Sequence, residues 1–227
     1  FVISCIRYAA LLSLFSGTDS ARLGIDKYLL RHNLSEALIE TMAVEKDAIS
    51  ASLIHAVYSE RSQTALPPYP TMLYDVIHLI RSQGCLLKTW IQRLPHGTVV
   101  IIAFGSPCQD FTIIGRFFGA LGWHGSRSSL IFIPALIIFM IEAFRPDLQV
   151  FPIGEQAGST RSHFSALFHT IFRLPQSAVL RVNTKDYSPW NRDRLVYSPF
   201  QTPGRRGSLA IVTNAFEPGW NQVCDFF

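Results

Sequence analysis

The expected fold is decided by the stretch Val99-Val100-Ile101-Ile102-Ala103-Phe104 and by the Gly105-Ser106-Pro107-Cys108-Gln109-Asp110-Phe111-Thr112 that follows it. A β-branched run that stops at Gly-Ser-Pro is typical of a buried strand that ends abruptly in a loop. Pro107 fixes its own φ torsion and restricts the residue before it, so the loop that carries Cys108 is stiff. Because open α/β sheets bind their ligands at the carboxyl ends of strands, this stretch predicts a nucleophile presented at such an end.

The composition describes a globular protein. The chain has 227 residues, of which 48% are hydrophobic and 16% are charged, which fits one well-packed domain and excludes a disordered chain. The formal net charge of +4 is compatible with a polyanionic partner without requiring one. Four cysteines without short paired spacings indicate neither a zinc site nor a disulfide framework. We therefore expect no bound metal and a reducing, intracellular location, either the nucleus or the cytoplasm.

One apolar segment, Leu130 to Phe144, has to be weighed against a membrane span. It is shorter than the roughly 20 apolar residues that a bilayer requires, it contains Pro134, and it closes on Glu142. We expect a buried helix here and no membrane partner. The sequence starts at Phe1 without an initiator Met or a signal-peptide pattern, which is consistent with a fragment of a longer protein.

Short apolar runs alternate with helical patterns along the chain. The predicted strands are 11–15, 37–44, 98–104, 148–153, 178–183 and 195–197, with a weaker strand or the end of a strand at 73–77. The predicted helices are 21–29, 48–58, 86–94, one beginning at 129, and 162–173. This alternation predicts an α/β fold with a doubly wound, mainly parallel sheet and helices on both faces.

Several predicted strands end at, or just before, a polar or otherwise special residue: Gly17, Glu45, Asp75, Cys108 and Glu155. Strand ends are often capped by small or polar residues without any function. Carboxyl ends of parallel strands meet at one edge of a sheet, however, and five such residues with a Pro-Cys pair among them favour a functional site.

Three of these positions suit a nucleoside cofactor. Ser16-Gly17-Thr18 offers backbone N–H groups beside a helix start, which favours a polar or anionic ligand group. An acid such as Glu45, at the end of the second predicted strand, commonly accepts hydrogen bonds from ribose hydroxyls. Asp75 could accept a hydrogen bond from an adenine amino group.

Six segments, in order over residues 11–197, resemble motifs of the DNA (cytosine-5) methyltransferase family. Phe15-Ser16-Gly17 resembles the first motif, Phe-Ser-Gly-x-Gly, which binds S-adenosylmethionine in that family. Glu45-Lys46-Asp47 is similar to the second motif, and Asp75-Val76 is similar to the third.

The remaining three segments resemble the catalytic part of the family. Gly105 to Thr112 resembles the Pro-Cys-Gln loop, and Gly115, Gly119, Gly125, Arg127 and Leu130 resemble the loop that follows it. Glu155-Gln156-Ala157 stands where the family has Glu-Asn-Val. Asn183 to Arg194 is similar to the segment that carries Gln-x-Arg-x-Arg.

The resemblance implies an enzyme that transfers a methyl group from S-adenosylmethionine to C5 of cytosine in DNA through a covalent cysteine adduct. It implies that residues 1–200 form the Rossmann-like catalytic domain and that 201–227 form a short tail. The residues that it assigns to catalysis are Cys108, Glu155, Arg192 and Arg194. The residues that it assigns to cofactor binding are Phe15, Ser16, Gly17, Thr18, Glu45, Lys46, Asp75, Val76, Pro107 and Leu130.

The sequence also departs from the family pattern. Thr18-Asp19-Ser20 replaces the second glycine of the first motif, Gln156 replaces Asn, and Trp190 stands where Gln is expected. The 195–227 segment leaves no room for an ordinary target-recognition region, so a second chain could supply target recognition. A catalytically degenerate relative that binds DNA or a partner methyltransferase, and an enzyme acting on cytosine in RNA, therefore stay as alternatives.

Overall fold

A computed structural model describes residues 6–17, 20–61, 71–73, 75–105, 128–160, 162–174, 179–183 and 193–198. Its strands and helices, in chain order, are β1 (Ala9–Leu14), α1 (Ser20–Arg31), β2 (Leu38–Val44), α2 (Ala48–Arg61), β3 (Thr71–Leu73), α3 (Val76–Gln92), β4 (Val99–Phe104), α4 (Phe132–Phe144), β5 (Gln149–Ala157), α5 (Ser162–Ile171), β6 (Val179–Asn183) and β7 (Asp193–Tyr197). Two short 3-10 turns lie at Ser35–Ala37 and Ser128–Ile131. The contacts divide the chain into two units, one of Phe1–Phe104 with Ile133–Phe151 and one of Gly105–Phe132 with Pro152–Phe227.

The first unit is built on parallel strands in the order β3-β2-β1-β4. In the parallel pairings, Leu14 of β1 lies opposite Val44 of β2 and Phe104 of β4, so the three strands end at the same level. All six residues of β1 are buried, which requires cover on both faces of the sheet. The α/β fold with a mainly parallel, doubly wound sheet is therefore confirmed.

One predicted strand of this unit is wrong in part. Residues 73–77 were expected to be extended, but β3 ends at Leu73 and α3 begins at Val76. Asp75 is the N-cap of α3, and its Oδ1 accepts a hydrogen bond from the Ile77 N–H at 2.9 Å. This cap satisfies one of the N–H groups that a helix start leaves unpaired, so it favours helix over strand.

The apolar segment 130–144 forms a helix, as expected, but the helix is buried along one stripe only. Pro134, Ile137 and Ile141 of α4 are buried, whereas Leu136 and Phe139 are exposed. None of the helices in the described part of the chain combines the length and apolarity needed to cross a lipid bilayer.

The second unit pairs its strands in the order β5-β7-β6, with β7 antiparallel to both neighbours. Its core is aromatic: the Phe168 ring of α5 stacks on the Tyr197 ring of β7 with centroids 4.9 Å apart, and both side chains are fully buried. The antiparallel pairing sets the cross-strand neighbours of β5, which carries the predicted catalytic residue Glu155.

Candidate functional site

The strand order of the first unit creates a ligand-binding position. Moving outward from β1, the chain continues to β2 and β3 on one side and to β4 on the other, so the order reverses between β1 and β4. In doubly wound sheets, ligands bind at the carboxyl ends of the strands at this reversal. The residues that follow β1 and β2, Phe15 to Gly17 and Glu45, lie at this edge.

The loop after β1 has an unusual backbone. Phe15 and Gly17 have φ angles of 55° and 54°, in the left-handed region. Glycine adopts such angles freely, but for Phe15 the conformation costs roughly 1–2 kcal/mol. Ser16 ties the loop to β2, because its N–H and its Oγ both donate to the Val44 carbonyl oxygen, at 3.1 and 3.3 Å.

Glu45 joins the two strand ends. Its Oε2 accepts a hydrogen bond from the Gly17 N–H at 2.6 Å, and its Oε1 accepts one from the Asp47 N–H at 2.8 Å. The N–H groups of Ser16 and Gly17 therefore donate within the protein, where the sequence had suggested that they face a ligand. A carboxylate has about four acceptor positions, so Glu45 retains capacity for further hydroxyl donors.

The other residues predicted to bind a cofactor are spread over several elements of the structure. Asp75 uses Oδ1 in the cap of α3, and Val76 is buried as the first residue of that helix. Lys46 is exposed. Leu130, half-buried in the Ser128–Ile131 turn, belongs to the second unit. Thr18 and Pro107 lie outside the described residues.

In the second unit, Glu155 and Arg194 come together. Antiparallel pairing sets Arg194 opposite Ala157, two residues beyond Glu155 on the same face, which is a diagonal neighbour relation. The Arg194 Nε forms an ion pair with Glu155 Oε1, and both side chains are largely buried, at 17% and 21% exposure. The structure thus joins two predicted catalytic residues that lie far apart in the chain.

Gly105 lies against the same carboxylate. A Cβ atom on Gly105 would stand 3.3 Å from Glu155 Oε2. Gly105 is the first residue of the Gly-Ser-Pro-Cys stretch, so the Glu155 carboxylate is close to the start of the predicted catalytic loop. Cys108 and Arg192 lie outside the described residues.

Another acidic residue, Asp193, was not singled out from the sequence. Its carboxylate accepts hydrogen bonds from Arg181 Nε at 3.0 and 3.1 Å and forms an ion pair with the same guanidinium. The hydrogen bond from Arg181, more than its charge or that of Arg194, holds the pKa of Asp193 below its ordinary value, against the opposing effect of burial. In the sequence, Asp193 is distinguished only as an acid between Arg192 and Arg194. Its partner in the structure is Arg181, which lies on another strand.

Within the described residues, no cluster of three His, Cys, Asp or Glu side chains could hold a metal ion. The acidic groups above instead pair with backbone N–H groups or with arginines.

No protein-family model matches the sequence, and no curated protein matches it either.

Solved structures do resemble the fold. One is a candidate DNA modification methyltransferase encoded within an E. coli prophage, with a TM-score of 0.51 and 17% identity over 84% of this chain. Another is a candidate class I S-adenosylmethionine-dependent methyltransferase from Listeria monocytogenes, with a TM-score of 0.45 and 14% identity over 92% of this chain. The chain spans 46% of the first structure and 58% of the second, and the first likeness supports the Rossmann-like fold.

Proposed function

We propose that this protein is a DNA (cytosine-5) methyltransferase that uses S-adenosylmethionine. The observation that carries the proposal is the Glu155 carboxylate, which pairs with Arg194 and lies against Gly105 at the start of the Gly-Ser-Pro-Cys stretch. One residue from each of three segments that resemble the catalytic motifs of one family, namely Gly105, Glu155 and Arg194, is thus a neighbour of the others in the second unit.

The residues at the end of β1 and β2 fit the cofactor. The Glu45 carboxylate, held by the Gly17 and Asp47 N–H groups, would accept hydrogen bonds from the two ribose hydroxyls. Asp75 would accept from the adenine amino group, and Phe15, Ser16, Thr18, Lys46, Val76, Pro107 and Leu130 would complete the binding site. When bound, S-adenosylmethionine supplies an electrophilic methyl group.

Cys108 would act as the nucleophile. Its thiolate forms a bond to C6 of cytosine, which turns the unreactive C5 into an enamine-like carbon that can take the methyl group. Loss of the C5 proton and cleavage of the bond between Sγ and C6 then release the methylated base and the free thiolate. Cationic neighbours favour a thiolate, a role that suits Arg192.

Glu155 would bind the N3 edge of the base. The thiolate brings negative charge into the ring as it adds to C6, and N3 shares this charge, so a proton donated by the Glu155 carboxyl group to N3 would neutralise it. The ion pair with Arg194 would hold the Glu155 side chain in position for this contact.

DNA as the substrate is supported by the chain's basic charge of +4 and by the prophage protein of similar fold, which is described as a DNA modification methyltransferase. The target cytosine would have to leave the duplex to reach Cys108. We further propose residues 1–200 as the catalytic domain, 201–227 as a tail, an intracellular location, and a second chain as the source of target recognition.

Covalent trapping tests the proposal. The protein is incubated with S-adenosylmethionine and DNA that contains 5-fluorocytosine, which cannot lose its C5 substituent as a proton. We expect an adduct stable to denaturing electrophoresis in the wild-type protein and none in Cys108→Ala. Cys85→Ala is the matched control, because Cys85 is an exposed free cysteine on α3.

The contrary outcomes are specific. An adduct that persists in Cys108→Ala contradicts the assignment of the nucleophile. Folded protein that binds S-adenosylmethionine in a calorimetric titration but traps only fluorinated RNA identifies an RNA enzyme. Folded protein that binds DNA but neither binds the cofactor nor forms an adduct identifies the degenerate relative.

A further inference from the structure

The second unit contains a group of contacts that converge on one residue, Asp193, at the start of β7. Its carboxylate is held by Arg181 of β6, and its carbonyl oxygen accepts two hydrogen bonds. One comes from the Gly158 N–H at 2.8 Å and the other from Arg194 Nη1 at 2.9 Å. The main chain of Asp193 is therefore the point that orients the guanidinium paired with Glu155.

We infer that Arg181 and Gly158 are positioning residues that act through Asp193 to keep the Arg194 guanidinium on Glu155. The inference rests on the proposed role of Glu155, because only that role makes the position of Arg194 matter to a reaction.

The Arg181 guanidinium on β6 contacts both carboxylate oxygens of Asp193 on β7. Arg181 lies opposite Leu195 in the antiparallel pairing, so Asp193 is its diagonal neighbour on the same face of the sheet. The Arg181 Nε reaches both Asp193 oxygens, a geometry that sets the direction of the carboxylate. With 68% of its side chain exposed, Arg181 contributes little to stability, so directing Asp193 is the larger consequence of the contact.

Gly158 makes room for the same carboxylate. A Cβ atom on Gly158 would overlap the Asp193 carboxylate, which would then have to leave its present position. Only a residue without a side chain allows the Asp193 carboxylate and its carbonyl oxygen to hold these positions together with the Gly158 N–H.

The signal of the Arg194 Nε–H group in proton–nitrogen NMR tests this inference directly. In the wild-type protein, hydrogen exchange at this group should be slow, because Arg194 Nε forms a largely buried ion pair with Glu155. In Arg181→Met and in Gly158→Ala, exchange should become at least about tenfold faster, as expected when the guanidinium moves away from the carboxylate and becomes accessible to water. Arg93→Met is the matched control, since Arg93 forms a 3.2 Å ion pair with Glu40 in the first unit and is 54% exposed.

A variant in which the two charges are exchanged distinguishes a positioning role from a general loss of strand structure. The double variant Arg181→Glu/Asp193→Lys rebuilds a pair of opposite charges across β6 and β7 while keeping the carbonyl of residue 193. It should restore slow exchange at Arg194 relative to Arg181→Glu alone. Failure of the reversed pair to restore it, or unchanged exchange in both Arg181→Met and Gly158→Ala, would overturn the inference.

The readout is independent of catalysis. If trapping on fluorinated DNA fails but the Arg194 signal responds as described, the positioning contacts are real and the proposed reaction is wrong. If trapping succeeds, Arg181→Met should lower kcat about tenfold while leaving KM for S-adenosylmethionine within twofold, because neither Arg181 nor Asp193 is among the residues proposed to bind the cofactor. A lower kcat with an unchanged Arg194 signal contradicts the inference.

Discussion

Glu45 in the first unit and Glu155 in the second unit are held in different ways. Both oxygens of Glu45 accept backbone N–H groups, from Gly17 and Asp47. Glu155 is held by the Arg194 side chain, whose position depends in turn on the Asp193 carbonyl. A backbone donor stays in place as long as the strand ends do, whereas a side-chain donor responds to its neighbours. The comparison teaches that one carboxylate can be fixed by the backbone of the fold, while another is positioned by the side chains around it.

The largest expected effect follows from Glu155→Gln. The neutral amide cannot donate a carboxyl proton to N3, and it leaves Arg194 without its anionic partner, so we expect methyl transfer to fall about 100-fold or more. Cofactor affinity should stay within twofold, because Glu155 is not among the residues proposed to bind the cofactor. Single-turnover methyl transfer and calorimetric titration with S-adenosylmethionine measure the two quantities.

Glu36→Gln is the control, because Glu36 is an exposed glutamate in the first unit. An equal loss of cofactor affinity and of turnover in Glu155→Gln would contradict the division of roles between the two carboxylates.

For Glu45→Gln we expect a smaller effect, and one on cofactor binding instead of on methyl transfer. The amide offers one acceptor oxygen, so one of the two backbone N–H groups loses its partner. The hydrogen bonds to ribose also lose their charge. We expect cofactor binding about tenfold weaker, which corresponds to ~1.4 kcal/mol, with kcat at saturating cofactor changed less than threefold. Glu40→Gln, on the strand β2 that precedes Glu45, provides the comparison in the titration. Loss of kcat at saturation would place Glu45 in the reaction itself.

The smallest effect concerns a second Arg–Asp fork, in the first unit. Arg145 donates to both oxygens of Asp147, at 2.7 and 2.6 Å, and its Nη1 donates to the Ile91 and Leu94 carbonyls at the end of α3. The hydrogen bonds from Arg145, more than its charge, hold the pKa of Asp147 well below its ordinary value. This contribution to stability is present above the unfolded-state pKa, at about pH 4, and is lost as pH falls towards the folded-state pKa.

We therefore expect Asp147→Asn to melt at a lower temperature than the wild type at pH 7, and the difference to shrink below about pH 4. Asp193→Asn should show the same direction with a smaller change, because Arg181 is 68% exposed whereas Arg145 is 20% exposed. Melting curves recorded at pH 7 and below pH 4 measure the difference in melting temperature between each variant and the wild type. A difference that grows on acidification would contradict the sign.

Much of the first unit was predictable from local pattern. The apolar runs that end at Val44 and Phe104 lie within one residue of β2 and β4, because a buried parallel strand is apolar on both faces and stops at its turn signal. The prediction of extended structure through 73–77 was wrong in part, and the reason is also local. Asp75 is a helix-start signal, and the apolar residues after it fit a helix as well as a strand.

The second unit was less predictable. Its strands at 178–183 and 195–197 were identified, yet the antiparallel direction of β7 was not, since a short apolar run looks the same in either direction. Without that direction, the meeting of Arg194 with Glu155 could come only from the family resemblance, and the meeting of Arg181 with Asp193 could not be foreseen.

By itself, the sequence determined the alternation of strands and helices and the strand ends at which Gly17 and Glu45 lie. Those features depend on periodicity, turn residues and backbone stiffness within a few residues. The tertiary structure alone decided that Glu45 accepts from Gly17, that Arg194 pairs with Glu155, and that Arg181 and Gly158 meet at Asp193. Such contacts depend on which strands become neighbours and on whether those strands run parallel or antiparallel. Both are determined by packing between segments that lie far apart in the chain.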